Sequence, residues 1–538
     1  MSGPAVLLVG IDAGCLPVLD RLSADGHVPN VNALRDRGVS APLESQVPPW
    51  TPSAWPSLYT GVNPGKHSVY GFTGYDGYDY HVVDRDDVRA RAIWDILGAH
   101  DRSSVVVNVP VTYPPDEIDG AVIPGFIGPE DPACHPPGLL DDVREAIGAY
   151  RVYPEYTRGE SGLSDDAKLA EYCALARMRG EAFRYLCDRV DPAFGFVQFQ
   201  RTDTVFHEFD GRWDLVERIY AATDDEIGRI VDACDPDVTM LVSDHGIGRY
   251  EGEQIHVNTL LESAGYLETT RGGRGMPSWN PIRSRLRRGN AAKQRRLTAT
   301  ERVAAGLARV GLTAHLVSRM LQTLRVDGIV TRYLPDGVSR TGAEQVDFPA
   351  SQAYMRARVE LGVRLNVAGR EPDGTVDRDE YDAVRREIIT MLRDVETPAG
   401  DPAFDRVVPR EAVFDGPHLE DAPDVVAEPR DYDHFLSAEP STEPFHPNRT
   451  PWNHKRPGLF VAAGDVDTTA SVADPHLLDV APTVLAAMDV PYDDRMDGRV
   501  LDLAADPGSR DYGPYESADG RADPAAVEDR LADLGYMQ

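Results

Sequence analysis

Asp203 and His207 stand four residues apart, and Asp244 and His245 stand side by side. Carboxylate with imidazole is the donor mixture that divalent transition metals take. An i,i+4 spacing puts Asp203 and His207 on one face if their stretch is helical. Both pairs follow β-like apolar runs, Ala193 to Gln200 (AFGFVQFQ) and Val238 to Ser243 (VTMLVS). Strand ends are where open α/β sheets keep their ligands. The two handovers therefore predict a metal site, with donors enough for two ions, and hence an enzyme.

Three further residues fit the same chemistry. Asp12 ends a first apolar run (LLVGID), and His454 precedes another, Leu459 to Ala463. Thr51 followed by Pro52 has the grammar of a helix N-terminus, with a hydroxyl at the cap and proline at the first helical position. Helix N-termini attract anions, so a phosphate would dock where this hydroxyl sits. Beside a divalent cation that hydroxyl would lose its proton more readily and become a nucleophile. Pro56 predicts that the helix is short or distorted. Taken singly, each residue reads equally as a cap, a turn residue or a hydrogen-bond partner. Their combination carries the metal reading.

The elements that must position them alternate. Ala5 to Ile11 and Ser103 to Val109 read as strands buried on both faces, and Leu16 to Asp25 and Pro29 to Arg37 as helices. Alternation of this kind predicts an α/β chain with a largely parallel, doubly covered sheet. The expected division is a core over 1–267 and 440–505, a basic and partly helical insertion over 268–345, a smaller α/β lobe over 346–439, and an acidic extension over 506–538. The lobe should hold a helix over Arg378 to Val395, and the extension a short closing helix over Ala525 to Leu534.

The 538 residues carry a formal charge of −33 with only four lysines. Such a surface stays soluble where salt screens its self-repulsion, which predicts a salt-adapted cytoplasmic protein. No apolar stretch is long enough to span a bilayer, and the N-terminus lacks the pattern of a signal peptide. Five scattered cysteines outside CxxC spacing read as reduced thiols. Against this acidic background, Thr269 to Arg325 holds 13 Arg and Lys and one acid, Glu301. Its densest part contains Arg283, Arg285, Arg287, Arg288, Arg295 and Arg296. These offer contact with an anionic membrane or carrier, and equally with the chain's own acidic surface. No interleaved aromatics suggest base stacking, so nucleic acid is not expected.

The order strand-Asp, Thr-Pro with Thr-Gly nine residues on, Asp-x-x-x-His, Asp-His-Gly and a late His resembles the alkaline phosphatase superfamily. Within it the pattern is similar to the type I phosphodiesterase/nucleotide pyrophosphatase family and its prokaryotic phosphohydrolase and phosphomutase relatives. Supporting stretches are TGVNPGKH (Thr60 to His67), PVTYPP (Pro110 to Pro115), VNTLLESAGYL (Val257 to Leu267), APTVLAAMDVP (Ala481 to Pro491) and RLADLGYM (Arg530 to Met537). The resemblance implies a three-layer α/β/α sandwich and a two-metal phosphohydrolase acting on a small phosphorylated substrate. One ion would be held by Asp12, Asp244, His245 and Thr51, the other by Asp203, His207 and His454. Thr51 would attack phosphorus and form a covalent intermediate that water then cleaves. The mixed oxygen and nitrogen donors favour zinc or manganese.

Two departures bear on substrate. Nucleotide pyrophosphatases place an asparagine three residues after the nucleophile, where this chain has Ala54. The usual His-Gly-Ile after the Thr-Gly motif is here His67-Ser68-Val69. Lys66 reads either as a replacement phosphate contact or, equally, as a solvated loop lysine, while His67 reads as structural. Sulfatase chemistry is disfavoured because Thr51 to Trp55 (TPSAW) lacks the C/S-x-P-x-R motif. The alternatives are a metal-dependent phosphomutase, or an idle relative that binds anionic lipid or glycan carriers.

Overall fold

The computed structural model describes residues 3–156, 162–271, 344–469 and 472–515. Seven strands form the central sheet: β1 (Val6–Ile11), β2 (Val39–Glu44), β3 (Ser104–Val107), β4 (Gly120–Ile123), β5 (Phe194–Phe199), β6 (Val238–Val242) and β7 (Pro457–Gly464). Their spatial order is β2-β7-β6-β1-β5-β3-β4. The run from β6 through β4 is parallel throughout. β7 is antiparallel to both β6 and β2. Every residue of β1, β3, β5 and β6 is buried, as continuous apolar runs with no polar face require.

Two glycines show how the sheet is covered on both faces. A Cβ on Gly10 of β1 would come within 2.5 Å of the Trp55 ring on the helix Thr51–Thr60. A Cβ on Gly195 of β5 would come within 2.5 Å of Phe183 on the helix Asp165–Val190. Leu7 pairs with Gly195 and Gly10 with Gln198 in one parallel register. Side chains alternate along a strand, so these two helices lie on opposite faces. The result is a helix–sheet–helix sandwich. The Trp55 ring, fully buried and tilted on Phe196 at 6.0 Å, anchors one layer.

A smaller four-stranded antiparallel sheet orders Ala353–Tyr354, Gly362–Leu365, Val425–Pro429 and Phe404–Pro409. The helix Tyr381–Arg393 accompanies it, three residues shorter at its start and two at its end than the sequence reading. The sheet buries charge in paired form, with Arg370 on Asp424 at 2.7 Å and Arg364 on Glu371 at 2.8 Å. Unpaired, such groups would cost several kcal/mol each. The basic arginines Arg283 to Arg296 and the helix expected over Ala525 to Leu534 lie outside the described residues. Among the described residues no helix is long and apolar enough to cross a membrane.

Candidate metal centre

All the candidate ligands meet at one edge of the sheet, and strand direction is the reason. Asp12 directly follows β1, Asp203 lies just beyond β5, and Asp244 and His245 lie just beyond β6. These strands are parallel, so their C-terminal ends share an edge. His454 comes before β7, which runs the other way, so the start of β7 reaches that same edge. A short strand, Trp452–Lys455, pairs antiparallel with Gly246–Arg249 and sets His454 opposite Ile247.

Two groups of three side chains converge within 4.8 Å ligand to ligand: Asp12 with Asp244 and His245, and Asp203 with His245 and His454. His245 belongs to both. His207 approaches Asp203 as the i,i+4 spacing predicts, with Nε2 at 3.2 Å from Oδ1. Its ring centroid is 5.3 Å from that of His454. Asp12, Asp203, Asp244, His245 and His454 are buried.

The backbone fixes which nitrogen each histidine offers. His454 Nδ1 lies 2.9 Å from the Pro49 carbonyl, which can only accept. Nδ1 therefore carries the proton, and Nε2 faces Asp203 Oδ1 at 3.6 Å. His245 Nδ1 likewise lies 3.0 Å from the Gly246 carbonyl. Its Nε2 faces Asp244 Oδ2 at 3.2 Å and Asp12 Oδ1 at 3.8 Å. A neutral imidazole with this tautomer points a lone pair at carboxylate oxygens, and two acceptors face to face need a cation between them.

The electrostatics draw positive charge into the cluster. Burial, with the charges of Asp244 and Asp203 adding to it, holds the Asp12 carboxyl well above its usual range. Burial and the neighbouring His245 hold His454 well below its usual value and so neutral. For Asp203 burial pulls upward, but His207, His454 and His245 outweigh it and leave the carboxyl low. For His245 burial pulls downward and is outweighed by Asp244, so its value rises. Three carboxylates buried together are tolerable only with compensating positive charge. Asp12 Oδ1 and Asp244 Oδ2 are buried and accept no hydrogen bond. The donor set thus fits divalent metal ions.

Thr51 stands beside this cluster, its Oγ1 3.3 Å from His245 Nε2. It occupies the first position of the ten-residue helix Thr51–Thr60, one place inside the cap. Trp50 is the cap instead, because its backbone is extended and its carbonyl accepts from Ala54 N at 2.9 Å. The helix also runs through Pro56 rather than stopping short. Pro52, at the second position, gives up no helical bond, since the first four N–H groups have no partner within the helix. Pro56, at the sixth, leaves the Pro52 carbonyl without its i+4 donor.

Lys66 has partners within the chain. Its ammonium is tied to the Asp497 carboxylate and to the Arg495 carbonyl at 3.0 Å. Asp497 also accepts from Asn63 N and Nδ2, each at 2.8 Å, so it clamps the loop that follows the helix. His67 is structural as expected. It accepts from Val69 N at 3.2 Å through Nδ1, and its Nε2 lies 2.7 Å from Ser57 Oγ.

Several supporting residues carry little or no signal in the sequence. Gln198 Nε2 donates to Asp12 Oδ2 at 2.7 Å, and Thr202 Oγ1 to the Asp12 carbonyl at 2.7 Å. Ser45 Oγ donates to the Asp244 carbonyl at 2.6 Å. Trp50 lies against His454 with centroids 4.3 Å apart, and Phe435 meets Trp50 edge-on at 6.5 Å. A polar residue inside an apolar strand, as in FGFVQF, was the available clue for Gln198.

A helix-covered, mostly parallel sheet with buried aspartates and histidines at its strand ends fits a metal-dependent hydrolase. The family model for type I phosphodiesterase / nucleotide pyrophosphatase matches residues 6–460, and the chain belongs to that family. It is therefore a hydrolase of phosphate esters. Among solved structures it is similar to phosphonoacetate hydrolase from Sinorhizobium meliloti 1021 in complex with phosphonoformate. That match has a TM-score of 0.51 at 15% identity, covering 89% of this chain and 94% of the other. It is also similar to the alkaline phosphatase PafA, with a TM-score of 0.51 at 13% identity over 94% of this chain and all of the other. These likenesses show the fold. No curated protein sequence matches the chain.

Proposed function

We propose that the protein is a two-metal phosphohydrolase that cleaves a phosphodiester or related phosphate ester with Thr51 as nucleophile. The observation that carries this is Thr51 Oγ1 at 3.3 Å from His245 Nε2, the one side chain common to both ligand groups. Asp12, Asp244 and His245 would hold one ion, with Thr51 beside it; Asp203, His207 and His454 would hold the other. The mixed carboxylate and imidazole donors favour zinc or manganese. Two such ions supply a hydroxyl of lowered pKa and positive charge for a phosphoryl group in transit.

Within that setting the chain's own atoms have separate tasks. Thr51 Oγ1 forms the bond to phosphorus as the ester oxygen leaves, and water later breaks that bond and releases the threonine. The positive end of the helix dipole at Thr51 favours the charge of the same anion. Asp12, Asp203 and Asp244 are fixed by buried neighbours, so little reorganisation accompanies the reaction. Ala54 offers no hydrogen bond where nucleotide pyrophosphatases use an asparagine, so the substrate is not assigned to nucleotides. The net charge of −33 supports a working environment of high salt.

The test is a screen of aryl phosphate monoesters and diesters with zinc and manganese at low and high salt. Diester turnover that is lost on chelation supports the reading. Return of the phosphoryl group to the substrate would favour a phosphomutase. Failure to bind any divalent ion would leave only an anion-binding protein.

A further inference from the structure

We propose that Asn108 is a positioning residue for the Asp12 carboxylate, acting through the side-chain amide of Gln198. This rests on the metal-site reading above and extends it to a residue that would touch neither metal nor substrate.

The polarity of the chain begins at a main-chain carbonyl. Asn108 Nδ2 lies 3.0 Å from the Gln198 carbonyl and 2.9 Å from Gln198 Oε1. A carbonyl can only accept, so the Asn108 atom facing it must be the NH2 group. That group donates in turn to Gln198 Oε1, which leaves Gln198 Nε2 aimed at Asp12 Oδ2 at 2.7 Å. Each choice forces the next, and neither amide can flip without setting acceptor against acceptor. All three side chains are buried, with Asn108 2% exposed and Gln198 and Asp12 fully covered. Water therefore cannot take over the lost bonds at low cost.

The consequence is a division of labour between the two oxygens of Asp12. Oδ2 is held by Gln198, while Oδ1 accepts no hydrogen bond and faces His245 Nε2 at 3.8 Å. Rotating the carboxylate would break the Gln198 bond, so Oδ1 stays turned to the place where Asp244 and His245 converge. Outer partners of this kind commonly set metal affinity.

Asn108 has a second reason to be asparagine, and the test must separate the two. Its φ is +62°, a conformation asparagine tolerates better than most residues. Its backbone N bonds the Ile123 carbonyl at 2.9 Å, and a Cβ on Gly125 would come within 2.1 Å of its carbonyl oxygen. Asn108→Gly keeps this backbone and deletes the amide. Asn108→Asp keeps the shape and replaces the donor by an acceptor, inviting Gln198 to turn its Oε1 toward Asp12.

The experiment measures zinc affinity by chelator competition, with no substrate present. In Asn108→Asp we expect one of two zinc equivalents to weaken by about 10- to 100-fold, and in Asn108→Gly to weaken less. Gln198→Leu should weaken the same equivalent, and adding Asn108→Asp to it should cause no further loss. Parent-like zinc binding in Asn108→Asp would overturn the proposal. So would an Asn108→Asp loss that persists undiminished without Gln198. If Asn108→Asp does not fold, parent-like binding in Asn108→Gly overturns it equally. A parent protein that binds no zinc would remove the metal reading itself, and this proposal with it.

Discussion

The rings of His245 and His454 lie stacked, their centroids 3.7 Å apart and their planes 16° from parallel. Two charged imidazoles at that distance would repel strongly in a buried site. The stack therefore goes with neutral His454, each ring presenting Nε2 to a different set of carboxylates. It places the two ligand groups back to back, with His245 common to both.

Removing one member of the stack should unload one ion. His454→Ala is expected to lower bound metal from about two equivalents to about one after dialysis, read by elemental analysis of the dialysed protein. Two full equivalents in the variant would take His454 out of the ligand set.

Thr51→Ala should abolish turnover of an aryl phosphodiester, by at least about 1000-fold in kcat, with metal content and circular dichroism unchanged. Thr51→Ser should retain part of the activity because it keeps a hydroxyl. Parent-like turnover by Thr51→Ala would show that another group attacks phosphorus.

Metal removal should destabilise the protein as well as silence it. Asp12, Asp203 and Asp244 are buried near one another, and binding confined to the folded state adds stability by mass action. Zinc or manganese returned at about 100 times its Kd should stabilise by about 2.7 kcal/mol, read as a higher Tm by calorimetry. An unchanged Tm would mean that the ions contribute nothing to the fold.

The buried His67 predicts a pH dependence away from the metal ligands. Burial lowers its pKa from 6.5 to about 3. The unfolded chain therefore binds the extra proton between those values, and stability rises with pH across that window. The contribution is complete above pH 6.5 and is lost as pH falls toward 3, on the order of 5 kcal/mol in all. His67→Gln should lose less stability than the parent between pH 7 and pH 4, measured by urea midpoints. Equal losses in both would show that His67 titrates normally.

Trp55 tests the packing under the nucleophile. It is fully buried between the helix Thr51–Thr60 and the sheet, with Gly10 beneath its ring. Trp55→Ala should cost about 3–5 kcal/mol, read from denaturant unfolding. A loss below about 1 kcal/mol would mean that the layer closes over the space.

The candidate ligands were legible because each sits where a local pattern changes. Asp12, Asp203, Asp244 and His454 adjoin apolar runs, and an apolar run bounded by a polar residue marks the end of a buried strand. The Asp203–His207 spacing is legible for the same local reason. The pairing of Lys66 with Asp497 was not legible, because the two lie 431 residues apart and neither leaves a mark near the other. Trp50 took the cap position from Thr51 because backbone conformation, and not side-chain preference, decided which carbonyl starts the helix.

By itself the sequence determined the α/β class, the candidate ligands and their order along the chain, since these follow from periodicity and residue type. Only the tertiary structure decided how they combine. The reversed direction of β7 brings His454 to the edge held by Asp244, and Pro49, 405 residues away, sets its tautomer. His245 becomes common to both groups, and Asn108 and Gln198 meet Asp12 across neighbouring strands. Such contacts depend on strand order and register, which are fixed by packing between distant segments and leave no periodic trace in either one.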